Sequence, residues 1–209
     1  GEEVVPGKVL GLTIVRETRG HRFHAPGALT IPRADAYAQL LRTQGRVEPD
    51  FDARRELIRG QVEALAETVA CRARVEDDLL DEVTALCEWP RAILGSFSRD
   101  FLEVPPEALI ETMQSNQKYF PLFDGEGRLY PGFITVANIE SRDPDQVRQG
   151  NERVIRPRFS DAAFFWKQDL RHPLDAQVPR LETGVFQDRL GTLGEKSRRV
   201  AQGACAIAR

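Results

Sequence analysis

The residues with most to offer chemically fall in three polar stretches: NQKYFP (Asn116 to Pro121), ANIESRDP (Ala137 to Pro144) and GNERVIRPRFSDAAFF (Gly150 to Phe165). In the second, Asn138 and Glu140 share a strand face with Ile134 and Val136, so an apolar strand ends in a polar pair. Together with Asn116 they predict the polar wall of a cleft. In the third, Arg156 and Arg158 straddle Pro157. An extended chain there points both guanidinium groups the same way about 6.6 Å apart, which lets them engage one phosphate backbone or two carboxylates. The competing reading pairs them inside the protein with Glu140, Glu152 or Asp161. Tyr119 and Phe120 suit either a base-stacking platform or a core strand.

Other chemistries are poorly supported. His21 and His24 form an H-x-x-H pair, but glycine and proline flank it and no carboxylate or cysteine ligand lies nearby. The expectation is therefore no metal site, with His21 and Arg22 in a polar loop that makes hydrogen bonds or meets an anion. GTLGEKS (Gly191 to Ser197) lacks the glycine directly before lysine that a phosphate-binding loop needs, and reads better as a helix start. There is no G-x-S-x-G elbow, H-E-x-x-H helix or dinucleotide fingerprint. Cys71, Cys87 and Cys205 are an odd, widely spaced set that encodes neither a disulfide framework nor a zinc knuckle.

The formal charge of −3 gives no global pull on a polyanion, but its distribution is uneven. Residues 50–88 hold eleven acidic side chains against five arginines, whereas residues 148–172 hold six basic against three acidic. Residues 189–209 are also basic. Two basic segments flanking an acidic one admit a polyanionic partner, against the plainer reading of solvated helix faces. No apolar run approaches the ~20 residues of a membrane span, and the acidic start is not a secretory signal, so the expected location is cytoplasmic.

The elements that must position these residues are read from periodicity and punctuation. Residues 4–15 predict one or two short strands, then a loop through RGHRFHAPG and a helix over 33–44 stopped by Gly45. Phe51, Ile58, Val62, Leu65 and Val69 make one apolar stripe on a helix. A second helix starts at Asp77 and Asp78 and turns Leu79, Val83, Leu86 and Cys87 to one side. AILGSF reads as a strand, PPEALIETMQ as a helix, and KYFPLF with RLYPGFITVANI as a hairpin. Pro121 and Pro131 belong at strand ends, bulges or an edge, and FITVA is apolar enough to be covered on both faces. Asp143 and Pro144 start a helix that Pro157 should break, with Ser160 capping the next. Pro173 and Pro179 bracket a linker, and residues 181–209 read as helical with Leu190, Leu193, Val200 and Ile207 available for burial.

Taken together, RGHRF, EWP, QKYFP, VANIESRDP, GNERVIRPR, DAAFF and FQDRLGTLGEKSRRV resemble the β subunit of bacterial heterotetrameric glycyl-tRNA synthetase, collinearly and over essentially the whole chain. The resemblance implies an internal piece of that subunit. Residues 1–175 would form an α+β domain, a mostly antiparallel sheet with packed helices similar to the B3/B4 domain of the phenylalanyl enzyme. Residues 176–209 would be a linker and the first helices of a helical HD-like domain. Its implied role is tRNA-binding and architectural, supporting ATP-dependent attachment of glycine to tRNA(Gly), with tRNA(Gly) and the α subunit as partners and no membrane. ATP and Mg would act on the α subunit, and no cofactor on this piece. On that basis tRNA contacts are expected from Arg153, Arg156, Arg158, Lys118, His21 and Arg22, beside a polar cleft of Asn116, Asn138 and Glu140, with no catalytic residue. The alternatives are an editing-type hydrolase acting on mischarged tRNA, which fold likeness alone does not establish, and a pure subunit-interface scaffold.

Overall fold

The computed structural model describes residues 3–208. The chain forms two compact units that divide between Ala162 and Ala163.

The first unit opens with two hairpins, β1 (Lys8–Val9) with β2 (Leu12–Thr13), and β3 (Glu17–Arg19) with β4 (Ala28–Thr30). Leu10 and Gly11 turn the first at φ of 50° and 81°, the left-handed pair that a two-residue loop between twisted strands needs. Residues 34–45 wind as one irregular helical run around α1 (Tyr37–Leu40) and end at Gly45. A Cβ on Gly20 would collide with the Gly45 backbone, and the His21 N–H donates to the Gly45 carbonyl at 2.7 Å.

Next come α2 (Phe51–Glu67), the short β5 (Arg72–Ala73) and α3 (Asp77–Leu86). The Asp50 carboxylate accepts the Ala53 N–H at 2.8 Å and caps α2. Of the expected stripe, Ile58 and Val62 are buried, Leu65 and Val69 flank the core, and Phe51 stays exposed. On α3, Leu79 and Val83 are buried. Leu86 is not, because the chain leaves helical geometry at Cys87 and sends that side chain inward instead.

β6 (Arg91–Ser96), β7 (Phe120–Phe123) and β8 (Leu129–Ala137) join β5 in the unit's main sheet, an antiparallel array ordered β5-β7-β8-β6, and α4 (Pro106–Glu111) falls between β6 and β7 in the chain. This is the α+β, mostly antiparallel class expected. β8 is internal and covered on both faces. On one, Ile134 sits opposite Phe120 and Leu94 and packs with Ile58, Val62 and Leu80 from α2 and α3. On the other, Phe133 stacks on Tyr119 at 4.4 Å, and Gly95 opposite leaves the room, since a Cβ there would stand 2.5 Å from the ring. The β7–β8 register shifts between Pro121 and Phe123, so Pro131 lies where the ladder is already broken.

The largest departure from expectation is α5 (Pro144–Asp169), a single helix that passes straight through Pro157. Asp143 caps it as expected, its carboxylate accepting the Gln146 N–H at 3.2 Å. Ser160 caps nothing; its hydroxyl donates to the Arg156 carbonyl inside the helix at 3.0 Å. Arg156 is therefore helical, not extended, and the parallel Arg156–Arg158 pair does not form. A proline within a helix costs about 3 kcal/mol. Ile155 and Phe159, both fully buried on either side of it, offset that, at about 1.5–3 kcal/mol each.

In the second unit a 3-10 run (Leu174–Glu182) occupies the expected linker, with Pro179 inside it. Residues 183–192 are not helical as expected but make the hairpin β9 (Val185–Gln187) and β10 (Gly191–Thr192). α6 (Leu193–Ile207) then starts on a capping box: Thr192 Oγ1 accepts the Glu195 N–H, and the Glu195 carboxylate accepts the Thr192 N–H. GTLGEKS is thus a helix start. Leu190, Leu193, Val200 and Ile207 are all exposed.

Since Ile155 and Phe159 hold the helix line without help from Pro157, replacing it with alanine restores a donor for the Arg153 carbonyl. Pro157→Ala should raise stability by about 1–2 kcal/mol after allowing for the looser unfolded chain. Urea denaturation of the two proteins checks this, and a loss of stability would contradict it.

Candidate nucleic-acid interface

The chain has two separate polar constructions, one spent on holding the fold and one left open to solvent. The closed one is built at the end of β8. His21 is buried, and its Nδ1 accepts the N–H groups of Phe23 and His24 at 3.2 and 3.3 Å. The proton therefore sits on Nε2, which donates to the Asn138 carbonyl at 2.8 Å. The Asn138 side-chain oxygen accepts from the N–H groups of Glu88 and Trp89 at 2.8 and 2.9 Å. His24 Nε2 accepts the Glu140 N–H at 2.9 Å. The Glu140 carboxylate takes the Trp89 indole N–H and the Arg91 guanidinium at 3.4 and 3.0 Å. Those two donors hold it below the usual carboxylate range.

The structure brings His21, Asn138 and Glu140 together, and of the two readings of the His21 loop, hydrogen bonds or an anion, the His21 ring makes the hydrogen bonds. His21 is enclosed with both ring nitrogens occupied, so it is not available to a phosphate. Asn138 and Glu140 are spent on chain–chain hydrogen bonds, and no hydrogen bond among the described residues joins Asn116 to either; Asn116 is exposed at the end of the turn after α4. Lys118 is occupied too, its ammonium 2.8 Å from the Glu82 carboxylate. Arg22 is exposed and lines a cleft of about 710 Å³ with Arg19, Phe23, Leu86, Glu88 and Asn138.

The open construction is α5. Its inner side is fixed to the sheet by Ile155 and Phe159, the latter edge-on to Phe97 at 4.9 Å. The Tyr119 hydroxyl donates to Asn151 Oδ1 at 2.7 Å, and the Ser96 N–H and hydroxyl donate to Glu152 at 3.0 and 2.9 Å. Burial pushes the Tyr119 hydroxyl up to about 12, with Arg158 nearby opposing the shift. Arg153, Arg156 and Arg158 are all exposed, Arg153 on the outer side and the other two on the flanks, and none pairs with a carboxylate among the described residues. The expected partners are elsewhere: Glu140 pairs with Arg91, and Glu152 with Arg148 at 3.2 Å. Helical spacing puts Arg156 on one flank, next to Arg153, and Arg158 on the other. Sequence reading missed the Tyr119–Asn151 and Ser96–Glu152 ties. The steps of four from Asn151 through Ile155 to Phe159 were the signal, hidden by the proline between them.

Burial pushes the Cys87 thiol up to about 11 and raises that of Cys71, so neither is primed as a nucleophile. Among the described residues no three His, Cys, Asp or Glu side chains converge as metal ligands.

The sequence model described as "Glycyl-tRNA synthetase beta subunit" matches residues 1–209. The chain belongs to that family. Among its relatives, the "Glycine--tRNA ligase beta subunit" of Chromohalobacter salexigens is 54% identical over 200 residues, covering 96% of this chain and 29% of the relative. The proteins of the same name from Hahella chejuensis and Shewanella sp. (strain ANA-3) are 50% and 48% identical over 208 residues, in each case 100% of this chain and 30% of the relative. The chain thus spans about 30% of the length of the family members it matches.

The closed network and the Tyr119 tie each have a measurable consequence. His21→Ala should lower stability by about 2–4 kcal/mol, because it empties a buried site and strips the Asn138 carbonyl of its donor; denaturant titration reads this, and a change within error would refute the buried network. A raised hydroxyl pKa favours the folded state below the unfolded value of about 10, and that contribution is lost as pH climbs toward 12. Ultraviolet titration should show one phenolate transition near pH 12 that disappears in Tyr119→Phe.

Proposed function

We propose that this chain is the tRNA-contacting and architectural part of a glycyl-tRNA synthetase beta subunit. It supports ATP-dependent attachment of glycine to tRNA(Gly) by an assembly with the alpha subunit, in the cytoplasm. ATP and Mg act on the alpha subunit, and this piece supplies no reacting group. The observation that carries the reading is the set of exposed guanidinium groups of Arg153, Arg156 and Arg158, without a carboxylate partner among the described residues, on a helix whose inner side is locked to the sheet. Free arginines on a rigid helix place positive charge without an entropic search, which suits the phosphate term of RNA binding. Arg22, exposed in its loop beside Arg19 and Phe23, is a second contact of the same kind.

The architectural half of the reading rests on the closed network, where His21, Asn138 and Glu140 join three segments distant in sequence. No helix of the described residues is long and apolar enough to cross a membrane.

The test uses the assembled alpha and beta subunits. Arg153→Ala with Arg156→Ala should weaken tRNA binding, and the slope of log affinity against log salt should shrink by about 1 for each phosphate that is no longer neutralised. Arg158→Ala alone should act less, being on the other flank. Unchanged affinity and slope in the triple variant would reject the assignment. Release of amino acid from mischarged tRNA above the buffer rate would instead favour the hydrolytic reading.

A further inference from the structure

A cleft of about 940 Å³ lies at the β5–β7 edge of the main sheet, with no residue of α5 or of the His21 network in its lining. Four segments form it: the turn after α2, the 3-10 turn Arg99–Glu103, the start of α4, and the β7–β8 hairpin. Its apolar wall is Val69, Leu102, Val104 and Ile110, and its polar wall carries Arg74, Arg99 and Glu107. Arg128 also lines it but is committed to Asp124 at 2.9 Å and Glu126 at 2.7 Å. Arg74 and Arg99 are exposed and have no carboxylate partner among the described residues. The Arg74 guanidinium lies 4.5 Å over the Phe123 ring.

We propose that this cleft binds an unpaired RNA nucleotide, with its base against the Arg74–Phe123 stack and the apolar wall, and its phosphates on Arg74 and Arg99. A guanidinium placed over an aromatic ring brings a π-surface and phosphate-binding N–H groups to one spot, so one pair serves both halves of a nucleotide. The volume lies within the range of small-ligand sites and exceeds one base, leaving space for a flanking nucleotide. An acidic peptide would find the two arginines but has no flat face to set against the Phe123 ring.

This site is independent of the α5 reading, and the experiment separates them. The probe is a fluorescent six-nucleotide oligocytidine RNA, too short to pair, titrated into the full-length protein by anisotropy. Arg74→Gln with Arg99→Gln should weaken its binding about tenfold or more, whereas Arg153→Gln with Arg156→Gln should change it less than about twofold. Phe123→Leu, which keeps apolar volume but removes the ring face, should weaken it several-fold at unchanged thermal stability. Equal binding by wild type and the Arg74/Arg99 variant overturns the cleft proposal, whether or not the α5 variant still loses tRNA. Displacement of the RNA by an oligoglutamate peptide at equal concentration would also overturn it, assigning the cleft to an acidic protein segment.

Discussion

The hydrogen bond from the buried His21 ring to the Asn138 carbonyl is the constraint on which the placement of the other elements depends. Asn138 stands where β8 ends, and its carbonyl and side chain are both used, one by the early loop and the other by the segment that leads into β6. That single residue ties positions more than a hundred residues apart in sequence and fixes the direction in which the chain leaves the sheet. Asp143 and Pro144, only a few residues on, then start α5, so the helix that carries the free arginines takes its origin from this knot. Because each buried polar atom in it has a partner, loosening one bond leaves others unsatisfied, which makes the arrangement all-or-none.

β8 does for packing what Asn138 does for hydrogen bonding. Alternate residues Phe133 and Ile134 serve opposite faces, so one strand links the α2–α3 layer to the α5 layer. Glycine at 95 is the local condition for this, since the Phe133 ring occupies the space that any side chain there would need. A helix seated on such a surface tolerates an internal proline, because its register is set by Ile155 and Phe159 and not by an unbroken hydrogen-bond ladder.

Local rules were enough where an element is decided by its own residues. The Asp143 cap, the glycine-rich β7–β8 loop, the irregularity at Pro121 and Pro131, and the helix start within GTLGEKS follow their sequence readings. Failures came where tertiary contacts overrode local preference. Pro157 reads as a break because local rules weigh the missing N–H and the ring clash, while the opposing term is burial against residues some sixty positions away. Lys118 reads as an open cation because nothing nearby reveals Glu82 as its partner, and for His21 the sequence leaves hydrogen bonding and anion contact both open because Asn138 lies 117 positions away. The apolar positions of α6 were expected to be buried and are exposed, a case in which periodicity reports an amphipathic face without saying what meets it.

Net charge is a poor guide to polyanion binding here because of the layering. The acidic residues of 50–88 lie largely on α2 and α3, where Arg55 joins Asp77 and Asp81 at 2.6 and 2.5 Å. The free arginines of α5 lie beyond the sheet, across a helix–sheet–helix distance of roughly 20 Å. At physiological salt the screening length is about 8 Å, so an incoming strand at α5 feels the near guanidinium groups and little of the far carboxylates. The excess negative charge that argues against RNA contact when the whole chain is summed is therefore on the wrong side of the sheet to oppose it. A surface can be locally cationic in an acidic protein when the opposite charges lie on its far side, separated through salt solution by more than the screening length, and the doubly covered β8 sheet holds the two signs apart in that way.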